Sequence, residues 1–240
     1  MKTVLITGAN KGIGFETAKQ LAQRGYFVYL GSRNKTKGLE AINKLKDGGI
    51  SNVELVEIDV TDINSVKRAK QELETRMAAL DVLINNAGIA GEQPQHISGD
   101  GIENLRKIFE TNFFGAVQTT QQFIGLLKKS DGPRIINVTS GLASLTLQSD
   151  ENYNNPNAAL YDAYSCSKVA LNAFTVLLAR ELRNSNFKIN SVAPGYTATD
   201  LNGFKGTQTV EQAAEIIVRY AIDNNSPTGK YLNKEGITAW

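Results

Sequence analysis

The sequence predicts an α/β fold, a doubly wound parallel sheet with helices on both faces. Three observations predict it. Short runs rich in Val, Ile and Leu alternate with longer stretches of helical spacing along the whole chain. The short runs are nearly continuous in apolarity, as strands covered on both faces must be. A chain of 240 residues, 41% hydrophobic, with no internal boundary, repeat or low-complexity tract, suits one such domain over 1–240.

The strand candidates are "TVLIT" (3–7), "FVYLG" (27–31), "VELVEI" (53–58), "DVLIN" (81–85), "RIINVT" (134–139) and "KINSVA" (188–193). Between them, 15–25, 38–49, 65–77 and 170–184 carry helical spacing, with Gly25 and Gly48 as helix stops. The stretch 102–129 reads as mostly helix, and so does 210–222. Strands alternating with helices imply right-handed crossovers in one sheet. Two irregular stretches, 90–101 and 141–160, are long for a compact domain, and loops of that length are often functional.

Composition narrows the function. Cys166 is the one cysteine, which excludes an internal disulfide and suits a reducing compartment. His96 is the one histidine, which argues against metal sites built from several histidines; no metal is expected. A net charge of +2 predicts neither nucleic-acid nor membrane partners. "MKTVLIT" is too short for a signal peptide and no apolar run reaches the ~18 residues of a membrane span. The expected location is the cytoplasm.

"LITGANKGIGFETA" follows the first strand and opens the first helix, with Gly8, Gly12 and Gly14 spaced G-x3-G-x-G. That placement demands a tight turn, close approach of backbone to a pyrophosphate, and a helix N-terminus whose N–H groups face the anion. It makes the sheet Rossmann-type, with Asn10, Lys11 and Ile13 as further contacts of the loop. Such folds commonly carry an acid after the second strand for the ribose 2′-OH. Here "LGSRN" places Ser32 and Arg33 there instead. Arg33 can grip a 2′-phosphate in a bidentate way, and Lys11 adds a second cation. The expected cofactor is therefore NADP(H), although both cations could also be plain surface charges.

In "YDAYSCSK", Tyr164 precedes Lys168 by one helical turn, so phenol and ammonium share a face. Taken alone, a tyrosine packed on a lysine stem fits the same spacing. With "TGANKGIG", "NNAG" and "YSCSK" together, the chain resembles the short-chain dehydrogenase/reductase family. It is particularly similar to the NADPH-dependent, carbonyl-reductase-like branch, over essentially all 240 residues. The resemblance implies that Asp59, with Val60 beside it, contacts adenine. It implies that Asn86, Ala87 and Gly88 close the fourth strand under the cofactor. Asn112, Ser140, Tyr164 and Lys168 match the catalytic residues, of which Tyr164 and Lys168 also touch the cofactor. Pro194, Gly195, Thr197 and Thr199 match the segment beside the nicotinamide. One departure stands out: Ser140 and Tyr164 lie 24 residues apart, about twice the family's usual spacing, with the excess in "TLQSDENYNNPNA". Carbonyl-reductase-like members carry insertions there too.

These residues suit hydride transfer between nicotinamide and a small-molecule carbonyl or alcohol. The cofactor supplies the hydride, and the protein supplies a proton. Tyr164 would be the general acid/base, and Lys168 beside it is expected to lower its pKa. The Ser140 hydroxyl would bond the carbonyl oxygen, and Asn112 and Lys168 could hold a water chain that reprotonates Tyr164. Tyr161, with Ser165 one turn on, lacks a cation and reads as a pocket or packing residue. His96 reads as surface, Cys166 as a small filler of the helix face, and Trp240 as a packing anchor. The alternatives are a non-catalytic NADP(H)-binding sensor or scaffold, and lyase or epimerase chemistry on the same scaffold. A monomer or homodimer is expected.

Overall fold

The computed structural model describes residues 1–99, 101–153, 155 and 160–240. Parts of both long irregular stretches, at 100, 154 and 156–159, therefore lie outside the described residues, including the end of the insertion before Tyr164.

The predicted alternation is present. The elements run β1 (Thr3–Ile6), α1 (Gly12–Gln23), β2 (Phe27–Ser32), α2 (Lys35–Asp47), β3 (Val53–Glu57), α3 (Ile63–Arg76) and β4 (Val82–Asn85). They continue with α4 (Ile102–Phe109), α5 (Gly115–Leu127), β5 (Arg134–Val138), α6 (Leu145–Gln148), α7 (Asp162–Glu181), β6 (Lys188–Val192), α8 (Val210–Ile222), β7 (Lys230–Asn233) and β8 (Gly236–Ile237). The sheet order is β3-β2-β1-β4-β5-β6-β7-β8. All neighbouring strands are parallel except the last pair, β7 and β8. The order reverses between β1 and β4, which opens a crevice at their carboxyl ends, the place where such sheets bind ligands.

The pleat sorts the core into two layers. Val4 and Ile6 of β1 join Ala18 and Leu21 of α1, Ile42 and Leu45 of α2, and Ile217 and Val218 of α8 on one face. Leu5 joins Val66 and Leu73 of α3 and Phe123 and Leu126 of α5 on the other. This is the period-2 alternation of a strand buried on both sides.

Three differences from the sequence reading have physical causes. The helix predicted over 102–129 is two helices joined by a single π-turn, Glu110–Phe114, whose wider ring inserts one residue and rotates α5 relative to α4. The apolar stripe over 170–184 and the helical turn expected for Tyr164 and Lys168 belong to one continuous helix, Asp162–Glu181, because the small residues of "DAYSCSK" form helix without an apolar stripe. The strand β7 has no counterpart among the predicted strands: "KYLN" has only two apolar residues, too few to show periodicity, and is a strand because β6 pairs with it.

Beneath the carboxyl ends of the central strands lies a polar ladder. Asn85 of β4, Asn137 of β5 and Ser191 of β6 are in register across the sheet. Asn85 Nδ2 donates to Thr120 of α5 at 2.9 Å and to Asn137 Oδ1 at 2.8 Å. Asn137 Nδ2 donates to Thr175 of α7 at 2.8 Å, and Thr175 and Ser191 share a hydrogen bond of 2.8 Å. All five side chains are buried. The ladder thus fixes the two helices flanking the site, α5 and α7, onto one strand register. Among the described residues no helix is long and apolar enough to cross a membrane.

Candidate active site

The site begins in the turn between β1 and α1. Gly8 and Gly12 hold φ at +62° and +58°, a conformation that costs other residues about 1–2 kcal/mol. A Cβ on Gly8 would stand 2.9 Å from the Ala87 Cα, and one on Gly14 would stand 2.4 Å from Asn86 Nδ2. The glycine loop and the end of β4 therefore meet backbone to backbone. Thr7 and Asn86 tie them together. The Thr7 hydroxyl accepts from the amides of Asn86 and Ala87 at 3.0 and 3.1 Å. Asn86 Nδ2 donates to the carbonyls of Thr7 and Gly8 at 2.8 and 3.1 Å.

From this loop a cavity of about 740 Å³ runs along the crevice to α7. Gly8, Asn10, Lys11, Gly12, Ile13 and Gly14 line its first end, with Arg33, Asp59 and Val60 at the side and Asn86, Ala87 and Gly88 on the floor. Ser140, Tyr164, Lys168, Pro194, Gly195, Thr197 and Thr199 line the other end. The sequence-predicted residues are thus brought together with one exception. Asn112 stands behind the wall, in the π-turn. Its Oδ1 accepts from the Ile89 amide at 2.8 Å, and its Nδ2 donates to the Ile89 carbonyl and to Ser167 Oγ, both at 3.0 Å.

The two cations at the first end differ in their partners. Arg33, just past β2, is exposed and has no ion-pair partner among the described residues, while Ser32 beside it is buried and donates to the Asn34 carbonyl at 2.9 Å. Lys11 instead forms an ion pair with Asp200 at 2.6 Å, with both side chains more than half exposed. This pair joins the glycine loop to the segment after β6 across the cavity mouth. That segment is held by Gln208, which donates to the Pro194 carbonyl and, at 2.9 Å, to Thr197 Oγ1.

At the reacting end, the Tyr164 ring meets Tyr161 edge-on, centroids 6.1 Å apart, in a small apolar cluster with Ala90 and Leu142. Lys168 Nζ lies 5.7 Å from the Tyr164 ring centroid and donates to the Val138 carbonyl at 2.8 Å. Burial pushes the Tyr164 phenol up to about 12, against a smaller downward pull from its hydrogen bond with Ser140. Burial pulls Lys168 down to about 8. This corrects the expectation that Lys168 lowers the tyrosine. The one-turn spacing does bring the ammonium near, but that charge is turned to Val138, and desolvation wins at the phenol. At neutral pH Tyr164 is a protonated phenol and Lys168 is mostly charged.

Some residues that build the site gave no sequence signal. Gln95 is buried; its Oε1 accepts from the Tyr164 amide at 3.0 Å while its Nε2 holds the Ala90 and Glu92 carbonyls. Ser167 accepts from Asn112 and donates to the Tyr164 carbonyl at 2.6 Å. Polar residues in loops or between motif positions look like solvated surface until the fold buries them. Of the residues read as bystanders, Tyr161 lines the cavity, His96 and Cys166 are exposed, and Trp240 stacks on Tyr231.

The first end of the cavity fits a dinucleotide: a glycine cradle that a single Cβ would fill, the N-terminus of α1, and Arg33 at the side where the second ribose would lie. Known proteins share this architecture. The family model described as short chain dehydrogenase matches residues 2–209. A (+)-neomenthol dehydrogenase of Capsicum annuum is 32% identical, over 98% of this chain and 96% of that one. The structure of salutaridine reductase from Papaver somniferum is 30% identical with a TM-score of 0.84, covering 96% of this chain and 99% of that one. An NADPH-bound carbonyl reductase from chicken fatty liver superposes with a TM-score of 0.86 at 27% identity, covering 100% and 99% of the two chains. With a glycine loop, a cavity and a Ser–Tyr–Lys cluster in this order along one sheet edge, the chain belongs to the short-chain dehydrogenase/reductase family of hydride-transferring, nicotinamide-dependent oxidoreductases.

Proposed function

We propose that this protein is an NADPH-dependent carbonyl reductase, with Tyr164 as the proton donor to a small uncharged ketone or aldehyde. The observation that carries the reading is the convergence of Ser140, Tyr164 and Lys168 on one end of the cavity whose other end is the glycine loop and Arg33. When bound, NADPH supplies the hydride. Gly8 to Gly14 would hold its pyrophosphate, Arg33 its 2′-phosphate, and Asp59 with Val60 its adenine. Asn86, Ala87, Gly88, Pro194, Gly195, Thr197 and Thr199 orient the remainder.

The chain's own groups then handle the proton. Ser140 Oγ bonds the substrate oxygen and aligns it with the Tyr164 hydroxyl. Burial keeps Tyr164 protonated, which is the form that carbonyl reduction consumes. Water held by Lys168 and Asn112 would return the proton to Tyr164. Asn112 Oδ1 and Lys168 Nζ lie 3.3 and 3.5 Å from where a Cβ on Gly88 would stand, so a side chain at that position would press on both groups. Lys168 would also bind the nicotinamide ribose. Leu142, Tyr153, Tyr161 and Tyr196 line the substrate end. They are uncharged, which favours a neutral, partly apolar substrate.

The test is steady-state reduction of one ketone by three variants, with NADPH titration alongside. Tyr164→Phe is expected to lower kcat by about 10²–10⁴-fold with NADPH affinity kept. Lys168→Ala should damage both. Tyr161→Phe should be mild, since no cation lies one turn after it. Wild-type turnover in Tyr164→Phe would overturn the assignment.

A further inference from the structure

Ser140 is the first residue but one after β5, and the regular structure next to it is the short 3₁₀ turn Gly141–Ala143. A turn that short holds itself weakly. Yet the direction of the Ser140 side chain depends on the backbone there. The Ser140 carbonyl accepts from the Ala143 amide at 3.0 Å and from the Tyr231 hydroxyl at 2.6 Å. Tyr231 lies on β7, only 1% exposed, and its ring stacks on Trp240 at 5.6 Å between centroids with 29° between planes. The C-terminal stretch grips the chain beyond Ser140 at two more points. Ser144 Oγ donates to the Ala239 carbonyl at 2.9 Å, and the Thr146 amide donates to the Trp240 carbonyl at 2.7 Å. Asn172 of α7 reaches the Ala143 carbonyl at 3.3 Å. The 140–146 segment is therefore clasped between the helix carrying Tyr164 and a stretch nearly a hundred residues downstream.

We infer that Tyr231 is a positioning residue for the reaction: its hydroxyl, braced by Trp240, fixes the backbone of Ser140 so that the Ser140 hydroxyl meets Tyr164 and the substrate oxygen. This rests on the role given to Ser140 above. Burial keeps the Tyr231 phenol protonated throughout the working pH range, so it is a constant donor. Tyr231 is not itself among the residues lining the cavity, and its effect reaches the chemistry through Ser140, whose carbonyl it holds.

The test is a double-mutant cycle of Tyr231→Phe and Ser140→Ala, with kcat, KM and the dissociation constant for NADPH measured for each, and thermal unfolding as a folding check. Tyr231→Phe alone should lower kcat about five- to tenfold, the worth of one neutral hydrogen bond, with NADPH affinity unchanged. In the Ser140→Ala background it should change kcat by less than twofold, because the group it positions is gone. Equal effects in both backgrounds, or an unchanged kcat in Tyr231→Phe, would overturn the inference while leaving Ser140 as the oxygen ligand. A Ser140→Ala enzyme with full turnover would bring down the role of Ser140 itself, and this inference with it. Should Tyr231→Phe fail to fold, Ser144→Ala, which cuts the Ala239 clasp together with the cap on the Leu147 amide, must show the same loss of effect on the Ser140→Ala background, and independence there would refute the brace.

Discussion

Replacing Lys168 with methionine is expected to make the protein more stable at neutral pH while abolishing its proposed chemistry. Lys168 is 3% exposed, and burial lowers its pKa from 10.5 to about 8. A tenfold change in proton affinity corresponds to about 1.36 kcal/mol, so holding the ammonium charged costs the folded state about 3 kcal/mol. The unfolded chain binds the extra proton between about pH 8 and 10.5, so stability rises with pH across that window and the full cost is present below it. Methionine is of similar length, apolar and adaptable, and removes the cost. It also leaves the Val138 carbonyl without its 2.8 Å donor, a loss of about 1–2 kcal/mol. The balance is a gain of about 1–2 kcal/mol at pH 7. It should shrink and then reverse as wild type sheds its proton toward pH 9.5, still below the titration of Tyr164. Urea unfolding of both proteins at pH 6.5, 7.5 and 9.5 measures it, with equal m-values required for the comparison. A Lys168→Met protein less stable than wild type at pH 7, or a difference that does not change between pH 7 and 9.5, would refute the reasoning.

Other outcomes follow from named contacts. Arg33→Ala should weaken NADPH binding by about 1.5–3 kcal/mol and leave NADH binding nearly unchanged, read by fluorescence titration; equal wild-type affinities for the two would refute the 2′-phosphate assignment. Asp200→Asn releases Lys11 from its 2.6 Å pair and should tighten NADPH binding by up to about fivefold, an exposed pair being worth no more than ~1 kcal/mol; weaker binding would show that the pair aids the cofactor. Asn137→Ala removes two buried hydrogen bonds of the ladder and should cost about 2–4 kcal/mol in urea unfolding, with a cost under about 0.5 kcal/mol counting against any structural role. Light scattering at micromolar concentration should find a monomer or homodimer, and a tetramer would refute both.

Much of this arrangement is legible in the sequence. The six predicted strands are runs of Val, Ile and Leu long enough to announce themselves, and the glycine loop and the Tyr164–Lys168 pair sit at short, fixed spacings. The illegible parts depend on contacts between distant positions. Lys11 and Asp200 are 189 residues apart, and nothing near either shows that one neutralises the other. Asn85, Asn137 and Ser191 look like polar ends of apolar runs until sheet register places them side by side. The protonation of Tyr164 escapes the sequence for a related reason: spacing gives a distance to the ammonium, but not the burial of the phenol nor the carbonyl of Val138 that claims the charge. Tyr231 lies on a strand, "KYLN", with too few apolar residues to show in the sequence.

The sheet order also bears on how the protein is made. The glycine-loop half of the cavity comes mainly from β1 to β4 and their turns, although α8, the last helix made, covers the outer face of β1 and α1. The reacting half, from Ser140 onward, has one place to dock, the free side of β4. Until β5 arrives, "VLIN" presents an unpaired apolar edge, and such edges recruit other chains. A chain cut off after α5 would therefore leave this strand uncovered, and with it the face of β1 and α1 that α8 covers in the whole protein.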